Sequence, residues 1–199
     1  MNWYKKAQGK FDVSEMEKYD NPIEQHLAMI KTVRGKGIEG FHYGGPEDFI
    51  LQHGKHYQSN PMTKEEIAFM EEVAWKTCGY KMKQCFYNAQ SLAMTSPKIK
   101  YVEGYLYSGI IPVEHAWNTL NNKVIDFTMS HANNDKPILG DIPEGWDYFG
   151  VQLSSGPIAE YWSKYKMSEP FITNWREEYP LLRKPFKPEE PEESEDELV

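Results

Sequence analysis

Two β-prone runs, Val113 to Leu120 and Lys123 to Thr128, are separated only by Asn121-Asn122. No other feature restricts the fold of the chain as tightly. Asparagine tolerates positive φ, so the Asn-Asn pair predicts a two-residue hairpin turn. That turn sets Leu120 opposite Lys123, Trp117 opposite Asp126 and His115 opposite Thr128. Directly opposite and diagonal residues share a sheet face. His115 and Asp126 are therefore expected on one face, with Trp117 between them. The ladder fixes both backbones, so an imidazole–carboxylate hydrogen bond costs little entropy to hold. A one-residue slip would move the two side chains to opposite faces.

Upstream of the hairpin, Gln84-Cys85-Phe86-Tyr87-Asn88-Ala89 reads as the start of a helix. Cysteine, histidine and aspartate, in that order, are the parts of an acyl-transfer site: a thiol nucleophile, its base and the group that orients the base. A thiol in the first helical turn feels the positive end of the helix dipole, which favours thiolate. The amides of that turn, including that of Cys85, are candidate donors to an oxyanion, and the Gln84 side chain is a further one. Asn88 lies one turn on and is expected either to bond a neighbouring loop or to touch substrate. Tyr80, Tyr105 and Trp117 are candidate walls of a cleft. On a half-buried strand Glu103 should share a face with Tyr101 and Tyr105, while Glu114 should face away from His115. Each glutamate is expected to pair with Lys or Arg on the sheet surface. His131, in a loop-like stretch from Ser130 to Pro137, is a rival base. Taken singly, these residues have ordinary readings: a lone Cys is usually a small buried hydrophobe. The acyl-transfer reading rests on the three together.

The succession Cys85-Phe86-Tyr87-Asn88-Ala89, Tyr101-Val102-Glu103-Gly104-Tyr105, His115-Ala116-Trp117-Asn118 and Val124-Ile125-Asp126-Phe127-Thr128 resembles the transglutaminase-like superfamily of cysteine proteases and acyltransferases. In that family a helix-borne Cys precedes a strand ending in Gly-Tyr, a His-Ala-Trp strand and an Asp-Pro-Thr strand. The resemblance implies an α+β fold with a papain-like or transglutaminase-like core, its Cys helix packed on an antiparallel sheet that bears His and Asp. It implies Cys85 as nucleophile, His115 as base and Asp126 as orienting acid. Trp117 and Thr128 match the family's tryptophan and threonine. Phe127 stands where the family has proline, and Lys83-Gln84 replaces its small residues before the Cys. The matching stretch covers 45 of the 199 residues. The implied substrate is a protein, a peptide or a small amide, with no cofactor. Water as acceptor would make a peptidase, amidase or deamidase; an amine would make a transferase. The alternative is a non-catalytic protein-binding module with a vestigial triad.

Hydrophobic residues at 40% and aromatics at 14% fit a globular protein. Of the net charge of −8, seven negatives lie between Glu189 and Glu197, leaving the rest of the chain near −1. No basic excess supports nucleic-acid binding. Two cysteines are too few for a disulfide framework. With no signal or spanning segment in view, a cytoplasmic protein without a membrane partner is expected. Cys78 is expected at a helix end stopped by Gly79, in a structural role or as a resolving thiol for an oxidised Cys85. His42, His53 and His56 lie in a glycine-punctuated stretch, but no metal-ligand spacing joins them, so no metal is expected.

Three regions are expected: a helical and loop-rich N-terminal extension over 1–62, the core and following helices over 63–183, and a disordered acidic tail over 184–199. Asn21-Pro22 opens a helix with Ile23, Leu27 and Ile30 on one face. Thr63-Lys64-Glu65-Glu66 has capping-box spacing and starts a helix to about Thr77, burying Ile67, Met70, Val73 and Ala74. Tyr148 to Leu153 reads as another strand, and Pro157 opens a helix to about Lys166.

Overall fold

A computed structural model describes residues 13–35, 37, 39–74 and 80–188. Asn21 caps α1 (Pro22–Arg34), its side chain accepting from Ile23 N at 2.8 Å. Helix α2 (Pro46–His53) leads into strand β1 (Lys55–Tyr57). Helix α3 (Lys64–Ala74) opens with the reciprocal capping box, Thr63 N to Glu66 Oε2 at 2.7 Å and Glu66 N to Thr63 Oγ1 at 3.2 Å. Its buried stripe is Met70 and Val73; Ile67, expected inside, is 37% exposed. The Ala74 side chain and Cys78 with its glycine stop lie outside the described residues. Helix α4 (Cys85–Ala93) is followed by β2 (Lys100–Tyr107), β3 (Pro112–Leu120), β4 (Lys123–Asp126), β5 (Ile138–Leu139), β6 (Asp147–Leu153) and α5 (Gly156–Tyr165). Between β4 and β5, Thr128–Ala132 forms a 3-10 turn, taking in Thr128, expected to end the strand, and the start of the loop expected from Ser130 to Pro137.

The chain is α+β. Its six strands form one antiparallel sheet in the order β1-β6-β2-β3-β4-β5. The sheet curls until its two edges meet. Asn60 N, just past β1, donates to Gly140 O at 2.7 Å beside β5, and Met62 N donates to Leu139 O at 3.3 Å. Lys55 on β1 reaches Asn122 at the β3–β4 turn, Nζ to Oδ1 2.8 Å. The concave face encloses Tyr57, Val102, Trp117, Val124, Ile138 and Tyr148. Tyr101, Ala116, Val151 and Leu153 point the other way and pack under Ile23, Leu27, Phe49, Ala89 and Ile158 of the helices. Residues from the first 62 thus share a core with the Cys helix. At the other end Phe186, within the expected tail, packs edge-on against Phe49 with centroids 5.2 Å apart.

Two glycines make room inside the curl. Gly104 pairs with His115 on one side and Gly150 on the other. A Cβ on Gly104 would sit 2.2 Å from Phe149 O, and one on Gly150 would sit 2.6 Å from the Trp117 ring. At Gly104 the missing side chain lets the β6 backbone approach closely, and at Gly150 it leaves room for the Trp117 ring.

Candidate functional site

The hairpin turn forms as expected. Asn121 and Asn122 take φ of 51° and 62°, and Leu120 pairs with Lys123. This is the twist-matched two-residue turn. The register continues to Asn118↔Ile125, but the expected His115–Thr128 pair does not form, because β4 stops at Asp126. The cause is the side chain of Asp126 itself. Its Oδ1 accepts Thr128 N at 2.8 Å and Met129 N at 3.2 Å, turning the backbone into the 3-10 turn. β3 therefore outruns β4, and along His115 it is paired with β2 alone among the described strands.

His115 and Asp126 meet on the concave face, both nearly fully buried, with Nε2 2.6 Å from Oδ2. Tyr148, from β6, reaches across the interior and donates its hydroxyl to the same Oδ2 at 2.9 Å. Four donors thus satisfy one buried carboxylate, as burial of a charge requires. Burial acts to lower the His115 pKa, but the charge of Asp126, the hydrogen bond to it and the Cys85 thiol together raise it above the ordinary imidazole value. Burial likewise acts to raise the Asp126 pKa, and His115, Tyr148 and the Met129 amide outweigh it, leaving the group lowered. Both shifts favour the charged forms, imidazolium and carboxylate.

Cys85 is the first residue of α4, half-buried and unbridged. Its thiol is near enough to the His115 ring to act on it, helping to raise the pKa of the ring. Since Nε2 is engaged by Asp126, Nδ1 is the nitrogen left for sulfur. The helix ladder begins with Asn88 N to Gln84 O at 2.9 Å, so the amides of Cys85, Phe86 and Tyr87 precede it. Gln84 occupies the N-cap, exposed, with no side-chain capping bond. Helix α4 covers the sheet face opposite His115, and Asn118 secures it there by donating Nδ2 to Ala89 O at 2.8 Å. Its thiol reaches the ring at the place where β4 has ended.

Asn88 makes the loop bonds that were one of its two expectations. Its Oδ1 accepts Lys81 N, and its Nδ2 donates to Lys81 O and to Thr128 Oγ1, each at 2.8 Å. It ties the Cys helix to the turn that Asp126 starts. Trp117 is 1% exposed and cannot wall an open cleft. Instead its ring lies nearly parallel to the His115 ring, at 17° and 6.2 Å between centroids. Tyr105 follows Gly104 on β2 and so points to the other face, where its ring packs at a 60° tilt against His26, centroids 5.8 Å apart. Its described contacts take it away from the His115–Asp126 pair. Tyr80 is half-exposed and accepts from Ser130 Oγ at 3.2 Å.

Among the described residues, Glu103 is not paired with Lys or Arg. It is buried, and its carboxylate accepts from Tyr101 Oη at 2.7 Å, Phe171 N at 2.5 Å and Ile172 N at 2.8 Å. Burial raises its pKa to about 7 against the lowering effect of those donors. Glu114 likewise meets no Lys or Arg among the described residues and accepts from Thr173 Oγ1 at 3.0 Å. His131 sits in the 3-10 turn with Nδ1 3.0 Å from Thr128 O. His53 bonds Tyr43, and His56 lies between Glu24 and Asp147. The sequence reading missed Tyr148 as a partner of Asp126. Its alternation within β6 signals an inward side chain, but only the curl of the sheet reveals what it meets.

Comparison of the chain with known protein families, with curated proteins and with solved structures finds no match to any of them. Among the described residues, no helix is long and apolar enough to cross a membrane.

Proposed function

We propose that the protein is a cysteine-dependent acyl-transfer enzyme of transglutaminase-like or papain-like type, acting through Cys85, His115 and Asp126. One observation carries the reading: a thiol at a helix N-terminus stands beside an imidazole whose far nitrogen is fixed at 2.6 Å on a buried carboxylate. The imidazolium is the counter-charge a sulfur anion needs for attack. Sulfur adds to the carbonyl carbon of an amide or ester, and the carbonyl oxygen becomes an oxyanion. The unladdered amides of Cys85, Phe86 and Tyr87 are donors for that oxygen. Collapse breaks the bond to the leaving group, which takes the proton from His115, and a thioester remains. Water or an amine then attacks, gives its proton to His115 and displaces the sulfur. Hydrolysis makes a peptidase, amidase or deamidase; aminolysis makes a transferase.

The test is a screen of acyl and amide substrates, with and without amine acceptors, on the protein and on Cys85→Ala. The reading expects turnover and a trapped thioester in the first and neither in the second. Activity that survives Cys85→Ala removes the mechanism.

A further inference from the structure

We propose that Tyr148 is a positioning residue that acts through Asp126: by donating to the oxygen that also receives His115 Nε2, it limits how tightly the carboxylate holds the imidazolium. The arrangement leaves it no other role as a donor. Tyr148 is fully buried, and its hydroxyl bonds Asp126 Oδ2 at 2.9 Å, 22 residues away in sequence. Asp126 Oδ1 is already taken by the Thr128 and Met129 amides. The imidazole and the phenol therefore share one oxygen. Charge that this oxygen gives to one donor is denied to the other.

Among the described residues, few titratable groups face the pair. Cys85 comes from α4, His115 from β3, Asp126 from β4 and Tyr148 from β6. Tyr57, cross-strand neighbour of Tyr148 on β1, adds a second phenol. Burial, the Asp126 charge and the bond to Asp126 push the Tyr148 pKa well above its ordinary value, so the phenol stays protonated and stays a donor. An acid that must hand its proton to a leaving group works best when its charged, protonated form is not over-stabilised. A carboxylate with the ring as sole donor on Oδ2 would hold the proton on His115 too firmly. The phenol relieves that.

The role in turnover rests on the acyl-transfer reading, but the primary measurement does not. In Tyr148→Phe the His115 pKa, followed by ring 15N and 1H resonances across pH, is expected to rise by roughly half to one unit, a three- to tenfold gain in proton affinity. Where turnover is measured, the alkaline limb of kcat/KM moves up by the same amount. Replacing the tyrosines by 3-fluorotyrosine makes the phenol a stronger donor without removing a side chain, and shifts the His115 pKa down. That arm decides the matter if Tyr148→Phe does not fold. Added to Asp126→Asn, Tyr148→Phe shifts nothing, because the group it acts through is gone. An unchanged or lowered His115 pKa in a folded Tyr148→Phe protein overturns the proposal. So does an unmoved pKa in the fluorotyrosine protein, or an equal shift in the Asp126→Asn background. Loss of the acyl-transfer reading would leave these titrations standing, so the two failures are told apart.

Discussion

Replacing Asp126 by Asn isolates what the buried pair contributes. The carboxylate accepts from four donors, two on each oxygen. An amide of the same shape has one acceptor and one donor group. Its oxygen best serves the Thr128 and Met129 amides, which leaves its NH2 facing His115 Nε2 and the Tyr148 hydroxyl. The ring must then give up the Nε2 proton and carry its proton on Nδ1, toward the sulfur, in the tautomer that cannot take a proton from the thiol. Breaking one side of a buried pair costs about 3–5 kcal/mol, and neutralisation of the ring returns part of it, so about 3 kcal/mol is expected near pH 6. The sign with pH is fixed by the two shifts. His115 is raised, so its contribution is complete below about 6.5 and is lost as pH climbs through its folded value. Asp126 is lowered, so its contribution exists above roughly 3.9 and is lost only as pH falls through its folded value. The penalty of Asp126→Asn is therefore largest on the acid side, between about pH 4 and 6. Above about 6.5 it shrinks by up to about 1.4 kcal/mol per pH unit. Urea unfolding of both proteins, followed by circular dichroism from pH 5 to 9, measures it. A penalty that stays flat or grows toward alkaline pH refutes the ion-pair description.

Three further outcomes are expected. With iodoacetamide at neutral pH, Cys85 is alkylated faster than Cys78, and His115→Ala slows that reaction on the order of tenfold or more; peptide mapping that finds equal labelling counts against an activated thiol. Asn88→Ala cuts the link from α4 to Lys81 and Thr128, costs about 1–2 kcal/mol, and lowers alkylation of Cys85 without altering the His115–Asp126 bond, as thermal melts beside the His115 resonances would show. Gly104→Ala drives a Cβ to 2.2 Å from a backbone carbonyl, and splits the β2–β6 ladder at a cost of about 3 kcal/mol or more; a stable, soluble Gly104→Ala protein with native circular dichroism would contradict the register.

The hairpin was legible because its information is local: two asparagines that accept positive φ and flanking runs of opposite alternation. Local signals also set both helix starts, at Asn21 and at Thr63. What escaped depends on contacts distant in sequence. The face of Tyr105 follows from pairing Gly104 with His115, and no local pattern states that register. Glu103 looks like a surface carboxylate until amides 68 and 69 residues later arrive to satisfy it. Trp117 looked like a cleft wall because an aromatic beside a histidine is ambiguous until the sheet curls and makes its face an interior. The end of β4 was in principle readable. An aspartate two residues before a threonine can cap its own turn, but the same residues also continue a strand pattern.

The early end of β4 is what lets the parts meet. α4 lies on one face of the sheet and the His115 ring on the other, so a continuous β4 would stand between them. Asp126 removes that barrier by turning the chain with Oδ1, while Oδ2 holds the ring that the opening exposes. The turn it makes presents Thr128 Oγ1 to Asn88, one helical turn beyond the thiol. Sulfur, ring, carboxylate, turn and helix thus form a closed circuit of contacts in which Asp126 appears twice. A residue with these two tasks tolerates less change than either task alone would demand. Glutamate keeps the charge but lengthens the arm, so it cannot bond the amides two and three residues on while holding its other oxygen on the ring.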